Sequence, residues 1–289
     1  MQKQFNAIAI IGKYMDPAAL LLMGNELSQL AQHLKAKGIE VWIEQNTLQY
    51  AQLTGFNSAS LDCISEKVDL VIVMGGDGTM LSVARKLLSP DVPLIGINRG
   101  RLGFLTDLRT EDMLQELDKI LAGEYQVETR MLLDARITRS AEVLLEGIAL
   151  NDVVIKSALR LIELDVKING QFVSRQRADG LILSSPTGTT AYALSAGGPI
   201  LHPDLDAISI VPISPHTLSN RPITVPSDSV CEITVVNAED AQISFDGQLQ
   251  QALEEGDNIR VVRYQQDITL LHPQEYCYFD MLRNKLNWG

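Results

Sequence analysis

The chain has 289 residues, 46% hydrophobic and 21% charged, enough for two domains with real cores. Its net charge of −12 argues against nucleic acid or an anionic membrane as the main partner, and its longest apolar runs are far too short to span a bilayer. The N-terminus lacks the long apolar segment of a signal peptide, and Cys63, Cys231 and Cys277 are widely spaced, without a CxxC pair or a His/Cys cluster. The expectation is a cytoplasmic protein with reduced thiols and no metal site of its own.

Phe5 to Ile11 reads as a buried strand. Asp16-Pro17 is an N-cap followed by proline in the first turn, and Leu27, Leu30, Ala31 and Leu34 keep a helical stripe until Gly38 stops it. Ile39 to Ile43, Leu70 to Met74 and Val92 to Ile97 read as further strands, and a helix is predicted from Thr110 to Leu121. Strands alternating with helices predict a Rossmann-like α/β domain over residues 1–125, with ligands at the carboxyl ends of its strands. After residue 126 the period shortens. Leu161 to Asn169 alternates, Asn169-Gly170 is a hairpin signal, and Val230 to Val236, Gln242 to Phe245 and Ile259 to Tyr264 continue the pattern. Residues 126–268 are therefore expected to form a β-rich antiparallel domain. The aromatic tail within 269–289 must pack on something, and is expected to return to the α/β domain. The fold class is α/β plus β.

Two segments carry chemistry. The first is Gly75-Gly76-Asp77-Gly78-Thr79, where the apolar strand Leu70 to Met74 runs into three glycines and a helix predicted from about Thr79. Glycines allow a sharp turn and close approach to a ligand, and a helix N-terminus suits phosphate oxygens. Asp77 beside bound phosphates costs electrostatic energy unless it handles a hydroxyl, a metal or a proton, so the pairing points to phosphoryl transfer to a hydroxyl. A plain turn with Asp77 as N-cap is the bland alternative. The turn fits neither Gly-x4-Gly-Lys-Ser/Thr nor Gly-x-Gly-x-x-Gly.

The second segment, Asp179 to Pro199, is an apolar strand that ends in hydroxyls. Ser184, Ser185, Thr187, Thr189 and Thr190 offer small donors and acceptors, Gly188 allows close approach, and Tyr192 offers a flat face for an adenine or nicotinamide ring. A polar turn with Tyr192 in the core is the alternative. Because the protein is acidic and nucleotides are anions, Arg99, Arg101, Arg175, Arg177 and Arg221 are candidates to reverse the local field.

Gly-Gly-Asp-Gly-Thr resembles the signature shared by NAD kinases, diacylglycerol and sphingosine kinases, and phosphofructokinases. Further motifs narrow this. They are Gly96 to Leu105, Asn151-Asp152, Asp179 to Pro199, His216 to Pro222 and Asp246-Gly247-Gln248. In this order, and spanning most of the chain, the set resembles bacterial NAD kinases. The resemblance implies ATP-dependent phosphorylation of NAD at the 2′-hydroxyl of its adenosine ribose, with Mg²⁺ or another divalent cation arriving on the triphosphate. It also implies a homotetramer. Asp77 would contact that hydroxyl as the proposed base, within the phosphate loop Gly75, Gly76, Gly78 and Thr79. Gly78 would approach the pyrophosphate, and Phe104 would line the nicotinamide side. Asn151, with Asp152 beside it, would bind the adenosine ribose. Thr190, Ala191 and Tyr192 would surround the adenine, and Ser195 would face the nicotinamide. Thr187 and Gln248 complete the implied NAD-binding set. Asp179, with Arg177 close by, would reach the acceptor site of a neighbouring subunit. Two departures stand out: many family members carry Asn-Glu at the position of Asn151-Asp152, and Thr189 replaces the usual Ser.

A lipid or sphingoid-base kinase with the same turn would need a membrane-docking surface, against which the acidic balance counts. A phosphofructokinase-type enzyme would need more basic residues for its anionic acceptor. A non-catalytic dinucleotide sensor would keep Tyr192, Asn151 and Asp179 but have no need of Asp77.

Overall fold

The computed structural model describes residues 5–13, 16–89, 91–100, 103–157, 160–217 and 219–288. Its elements begin with β1 (Ala7–Ile11), α1 (Pro17–Leu22), α2 (Gly24–Ala36), β2 (Glu40–Glu44), α3 (Gln45–Tyr50), β3 (Asn57–Ala59) and α4 (Leu61–Ile64). Next come β4 (Leu70–Met74), α5 (Asp77–Ala84), β5 (Leu94–Asn98), β6 (Leu108–Arg109), α6 (Met113–Leu121) and β7 (Tyr125–Arg130). Then follow β8 (Leu133–Arg139), β9 (Glu142–Ala149), β10 (Asp152–Ser157), β11 (Ile162–Ile168), β12 (Gln171–Ala178) and β13 (Gly180–Ser184). After a 3₁₀ turn at Thr187–Thr190 come α7 (Tyr192–Ser195), β14 (Ala207–Ile213), β15 (Ile223–Pro226), β16 (Cys231–Asn237) and β17 (Ala241–Phe245). The chain ends with β18 (Leu249–Ala252), β19 (Asn258–Arg263), β20 (Ile268–Pro273) and α8 (Tyr278–Leu286). It divides into two compact units, Met1–Glu128 together with Ile268–Gly289, and Thr129–Asp267.

The first unit is an eight-stranded sheet in the order β3-β2-β1-β4-β5-β20-β7, with β6 paired to β5. The β1–β2, β1–β4, β4–β5 and β5–β20 pairs are parallel. All five residues of β4 are buried, as a strand covered on both faces requires. The stripe Leu27, Leu30, Ala31 and Leu34 of α2 packs in the same core as Ile10, Ile72 and Ile97. Between β2 and β4 the sequence reading foresaw nothing, and the structure has α3, β3 and α4 there. The buried Glu44 starts α3, its carboxylate accepting from the N–H groups of Asn46 at 3.0 Å and Thr47 at 2.7 Å.

Strand β20 brings the end of the chain into this sheet. Its His272 is 2% exposed, with Nδ1 2.9 Å from Asp107 Oδ2 and Nε2 2.9 Å from Glu128 Oε2. The ring stacks on Tyr276 at 4.0 Å between centroids. Both ring nitrogens face carboxylate oxygens, an arrangement that favours the imidazolium, which donates from both. Burial opposes its charge, but the bonds to Asp107 and Glu128 outweigh that and raise its pKa. In α8, Met281 and Leu282 are buried. Phe279 and Trp288 are exposed.

The second unit has two six-stranded sheets, β15-β14-β13-β10-β17-β18 and β12-β11-β16-β19-β8-β9, with antiparallel pairing throughout their registers. Residues of both sheets, among them Val153, Leu183, Phe245, Leu164, Ile233 and Ile259, share one core. Strand β11 alternates buried and partly exposed residues along most of its length. Asn169 and Gly170 join it to β12 with φ of 51° and 76°, the sign a two-residue hairpin turn needs. Among the described residues, no helix is long and apolar enough to cross a membrane.

Candidate active site

Strand β4 ends at Met74, and α5 starts two residues earlier than the sequence pattern suggests, with Gly76 as N-cap and Asp77 in the first turn. The helix ends at Ala84. Asp77 does not cap this helix. Its Oδ2 accepts from the Phe104 N–H at 2.8 Å, and its Oδ1 from the Leu105 N–H at 3.0 Å and the Thr106 hydroxyl at 3.1 Å. The side chain is thus held by the loop that follows β5, and lone-pair capacity remains on Oδ2. Gly103 makes this possible, because a Cβ there would overlap Asp77 Oδ1.

None of Gly75, Gly76 and Gly78 has a positive φ, so space rather than backbone handedness distinguishes these positions. A Cβ on Gly75 would lie 2.5 Å from Thr79 Oγ1, so this position is set by packing. At Gly76 and Gly78 a Cβ would meet nothing within 4 Å. Open space above a bare backbone at a helix N-terminus is what a phosphate needs.

In the second unit, Asn151 and Asp152 stand at the start of β10, beside the turn that follows β13. Ser185 Oγ donates to Leu150 O at 2.5 Å, and the Ser185 N–H donates to Asn151 O at 2.9 Å. A Cβ on Gly188 would overlap Asn151 O. The hydroxyls read as ligand contacts mostly serve the fold. Ser184 Oγ donates to Ser185 O, Thr189 Oγ1 to Pro186 O and Thr190 Oγ1 to Thr187 O, while buried Thr187 Oγ1 accepts from Arg130 at 3.2 Å. Ala191 is half-buried and Ser195 exposed. Tyr192 is 39% exposed with the Lys156 ammonium 5.8 Å from its ring centroid, so it is not a core residue.

Asp246, which the sequence offered within the Asp246-Gly247-Gln248 motif without a role of its own, holds the start of β10. Its Oδ1 accepts from the N–H groups of Asn151 at 2.8 Å and Asp152 at 3.1 Å, and its Oδ2 from Leu150 at 3.0 Å. Burial, and secondly the charge of Asp246, push the carboxyl of Asp152 up to about 7. Gln248 is exposed, next to this turn. Asp179 is exposed while its backbone is fixed by bonds to Ile213 O and from the Ser157 N–H.

The arginines proposed to reverse the field are largely committed to nearby carboxylates. Arg175 grips Asp165 with two bonds of 2.7 Å, Arg99 lies 3.2 Å from Glu26, and Arg177 lies 3.8 Å from Glu163. Arg221 donates to Asn220 O at 2.9 Å. Arg101, Leu102 and Leu218 lie outside the described residues. Among the described residues, no group of three or more His, Cys, Asp or Glu side chains is placed to hold a metal ion. A cleft of about 890 Å³ in the first unit is lined by Asp107, Arg109, Asp112, Tyr276 and Asp280 among others. It contains none of the candidate residues, and its acidic lining suits a nucleotide poorly.

Comparison with known proteins matches both units to one family. Residues 9–125 match the ATP-NAD kinase N-terminal domain and residues 150–272 the ATP-NAD kinase C-terminal domain. The chain is 48% identical over 292 residues to the NAD kinase of Aromatoleum aromaticum, covering 100% of this chain and 96% of that one. It is 47% identical to the NAD kinase of Thiobacillus denitrificans, covering 100% and 99%. Among solved structures, an NAD kinase from Archaeoglobus fulgidus in complex with ATP superposes with a TM-score of 0.75 at 27% identity, covering 98% of this chain and 100% of that one. Yeast NADH kinase complexed with NADH shares the fold, with a TM-score of 0.89 at 24% identity, covering 100% and 89%.

Proposed function

Because the chain belongs to the NAD kinase family, we propose that it transfers the γ-phosphoryl group of ATP to the 2′-hydroxyl of the adenosine ribose of NAD, giving NADP and ADP. The chain is a kinase, which sets aside the non-catalytic sensor and the lipid kinase. The observation that carries the proposal is the seating of Asp77. Its carboxylate is held by the Phe104 and Leu105 N–H groups beside the open backbone of Gly76 and Gly78.

In this reading Asp77 orients the 2′-hydroxyl and takes its proton as the new P–O bond forms and the bond to the β-phosphate oxygen breaks. Phosphoryl transfer passes through a loose transition state, so alignment and charge neutralisation supply more of the rate than base strength does. The N-terminal end of α5, with Gly75, Gly76, Gly78 and Thr79, receives phosphate oxygens. Phe104 lines the nicotinamide side. In the second unit Asn151 and Asp152 bind the adenosine ribose, and Thr190, Ala191 and Tyr192 surround the adenine. Thr187 shapes that turn through its bond to Arg130, Ser195 faces the nicotinamide, and Gln248 contacts the dinucleotide. Among the described residues no cluster of three or more His, Cys, Asp or Glu side chains is placed to hold a metal ion. Mg²⁺ or another divalent cation belongs instead to the triphosphate substrate, and no residue is assigned to it.

The chain also assembles as a homotetramer, with Asp179 and Arg177 serving a neighbouring subunit's acceptor site. The exposure of Asp179, and of the apolar Phe172 and Val173 on β12, supports this reading. Incubation with NAD and Mg-ATP should yield NADP, and Asp77→Asn should abolish most of it. Absence of NADP from folded wild-type protein overturns the proposal.

A further inference from the structure

Leu150, Asn151 and Asp152 point three successive backbone N–H groups at one carboxylate, that of Asp246. In a regular strand successive N–H groups point to opposite sides, so this convergence is a concave backbone nest that needs an anion to hold it. The carbonyls of the same three residues are also matched. Leu150 O accepts from Ser185 Oγ, Asn151 O from the Ser185 N–H, and Asp152 O from the Asp246 N–H at 3.0 Å. None of these bonds uses the Asn151 side chain. The backbone is gripped from both sides while that amide is left to point elsewhere.

Asp246 takes up its place with φ of 49°, followed by Gly247 at 66°, a turn that lifts the carboxylate off the end of β17. A fold chosen for stability alone would avoid this choice. Burial first, and the negative charge of Asp246 second, keep the carboxyl of the buried Asp152 up at about 7. A neutral acceptor would hold some of the same N–H groups without that repulsion.

We propose that Asp246 is a positioning residue of the dinucleotide site, its carboxylate fixing the Leu150–Asp152 backbone so that the Asn151 side chain is presented to the adenosine ribose. The proposal rests on the assignment of Asn151 to that ribose. The test is steady-state kinetics of Asp246→Asn, Asn151→Ala and the double variant, with KM for NAD and for ATP measured separately. Asp246→Asn should raise KM for NAD by about tenfold, the equivalent of one or two lost hydrogen bonds, and leave KM for ATP unchanged. Loss of folded protein lowers the apparent kcat but moves neither KM, so the split is read even from a partly folded preparation. In the double variant, Asp246→Asn should add nothing to the effect of Asn151→Ala on KM for NAD.

If Asp246→Asn yields no folded protein, Ser185→Ala loosens the same backbone from the other side and should show the same split, at about threefold for one neutral bond. An unchanged KM for NAD in the folded variant, or additive effects in the double variant, overturns the inference. If instead Asn151→Ala leaves KM for NAD unchanged, the ribose assignment itself fails, and the inference with it.

Discussion

In each unit the candidate site seats a carboxylate against backbone N–H groups, but on opposite kinds of sheet. In the first, β4 is buried at every residue, so polar chemistry is pushed to the strand end. There Asp77, in the first turn of α5, meets the loop after β5. In the second, β13 is likewise buried at every residue and β10 over its first four, so polar chemistry is again pushed to the strand ends. A site there needs an irregular turn, and Asp246 supplies the charge that holds one. A parallel sheet localises a site by topology, whereas an antiparallel one must build it with a specific side chain.

The comparison is broken most severely at Asp77. Asp77→Asn should lower kcat by about 10²–10⁴-fold while NAD still binds, the usual scale of a lost general base. Near-normal turnover, measured as NADP formed per enzyme, would reduce Asp77 to a strut for the 104–106 loop. His272→Ala tests how the first unit closes its sheet. It leaves Asp107 and Glu128 facing each other without their cation, at a cost of roughly 3–5 kcal/mol in denaturant unfolding.

Titration sharpens the contrast further. The folded pKa of His272 is raised above 6.5, so its contribution is complete below that pH. As pH rises past 6.5, the unfolded chain gives up its proton first and stability falls until the folded imidazolium also titrates. Asp152 behaves differently. The unfolded carboxyl loses its proton near 3.8 but the folded one holds it until about 7, so stability falls as pH rises between those values and is flat above. Asp152→Asn should abolish the slope in the lower window, and His272→Gln the slope in the upper one. Unfolding measured across pH 4 to 9 separates them.

Smaller effects distinguish surface from scaffold. Tyr192→Ala should raise KM for NAD about tenfold if the half-exposed ring stacks on adenine, taking such stacking as roughly 1–3 kcal/mol. An unchanged KM would leave Tyr192 as a partner of Lys156 only. Gly76→Ala has room for its methyl group and should change stability by no more than about 0.5 kcal/mol. A marked rise in KM for ATP in that stable protein would show phosphate passing over the bare backbone, and an unchanged KM would place the phosphates elsewhere.

The sequence by itself determined the two halves. Continuous apolar runs such as Leu70 to Met74 can only be strands covered on both faces, and alternation from Ile162 to Ile168 can only be a half-covered one. It also marked Gly-Gly-Asp-Gly-Thr and the hydroxyl-rich turn before Tyr192 as candidate sites, because both are local. What it could not reveal are partners distant along the chain. The bonds from Phe104 and Leu105 to Asp77, from Asn151 to Asp246, and from His272 to Asp107 and Glu128 leave no periodic trace, since each residue alone looks like an ordinary loop or surface position. The short α3 was hidden for the same reason, its start set by a buried Glu44 that composition would assign to solvent. Hydrophobic burial is read from pattern because it depends on which residues face one side. A buried carboxylate is stable only where tertiary structure brings it enough N–H donors or a cation, and only the folded chain decides where that is.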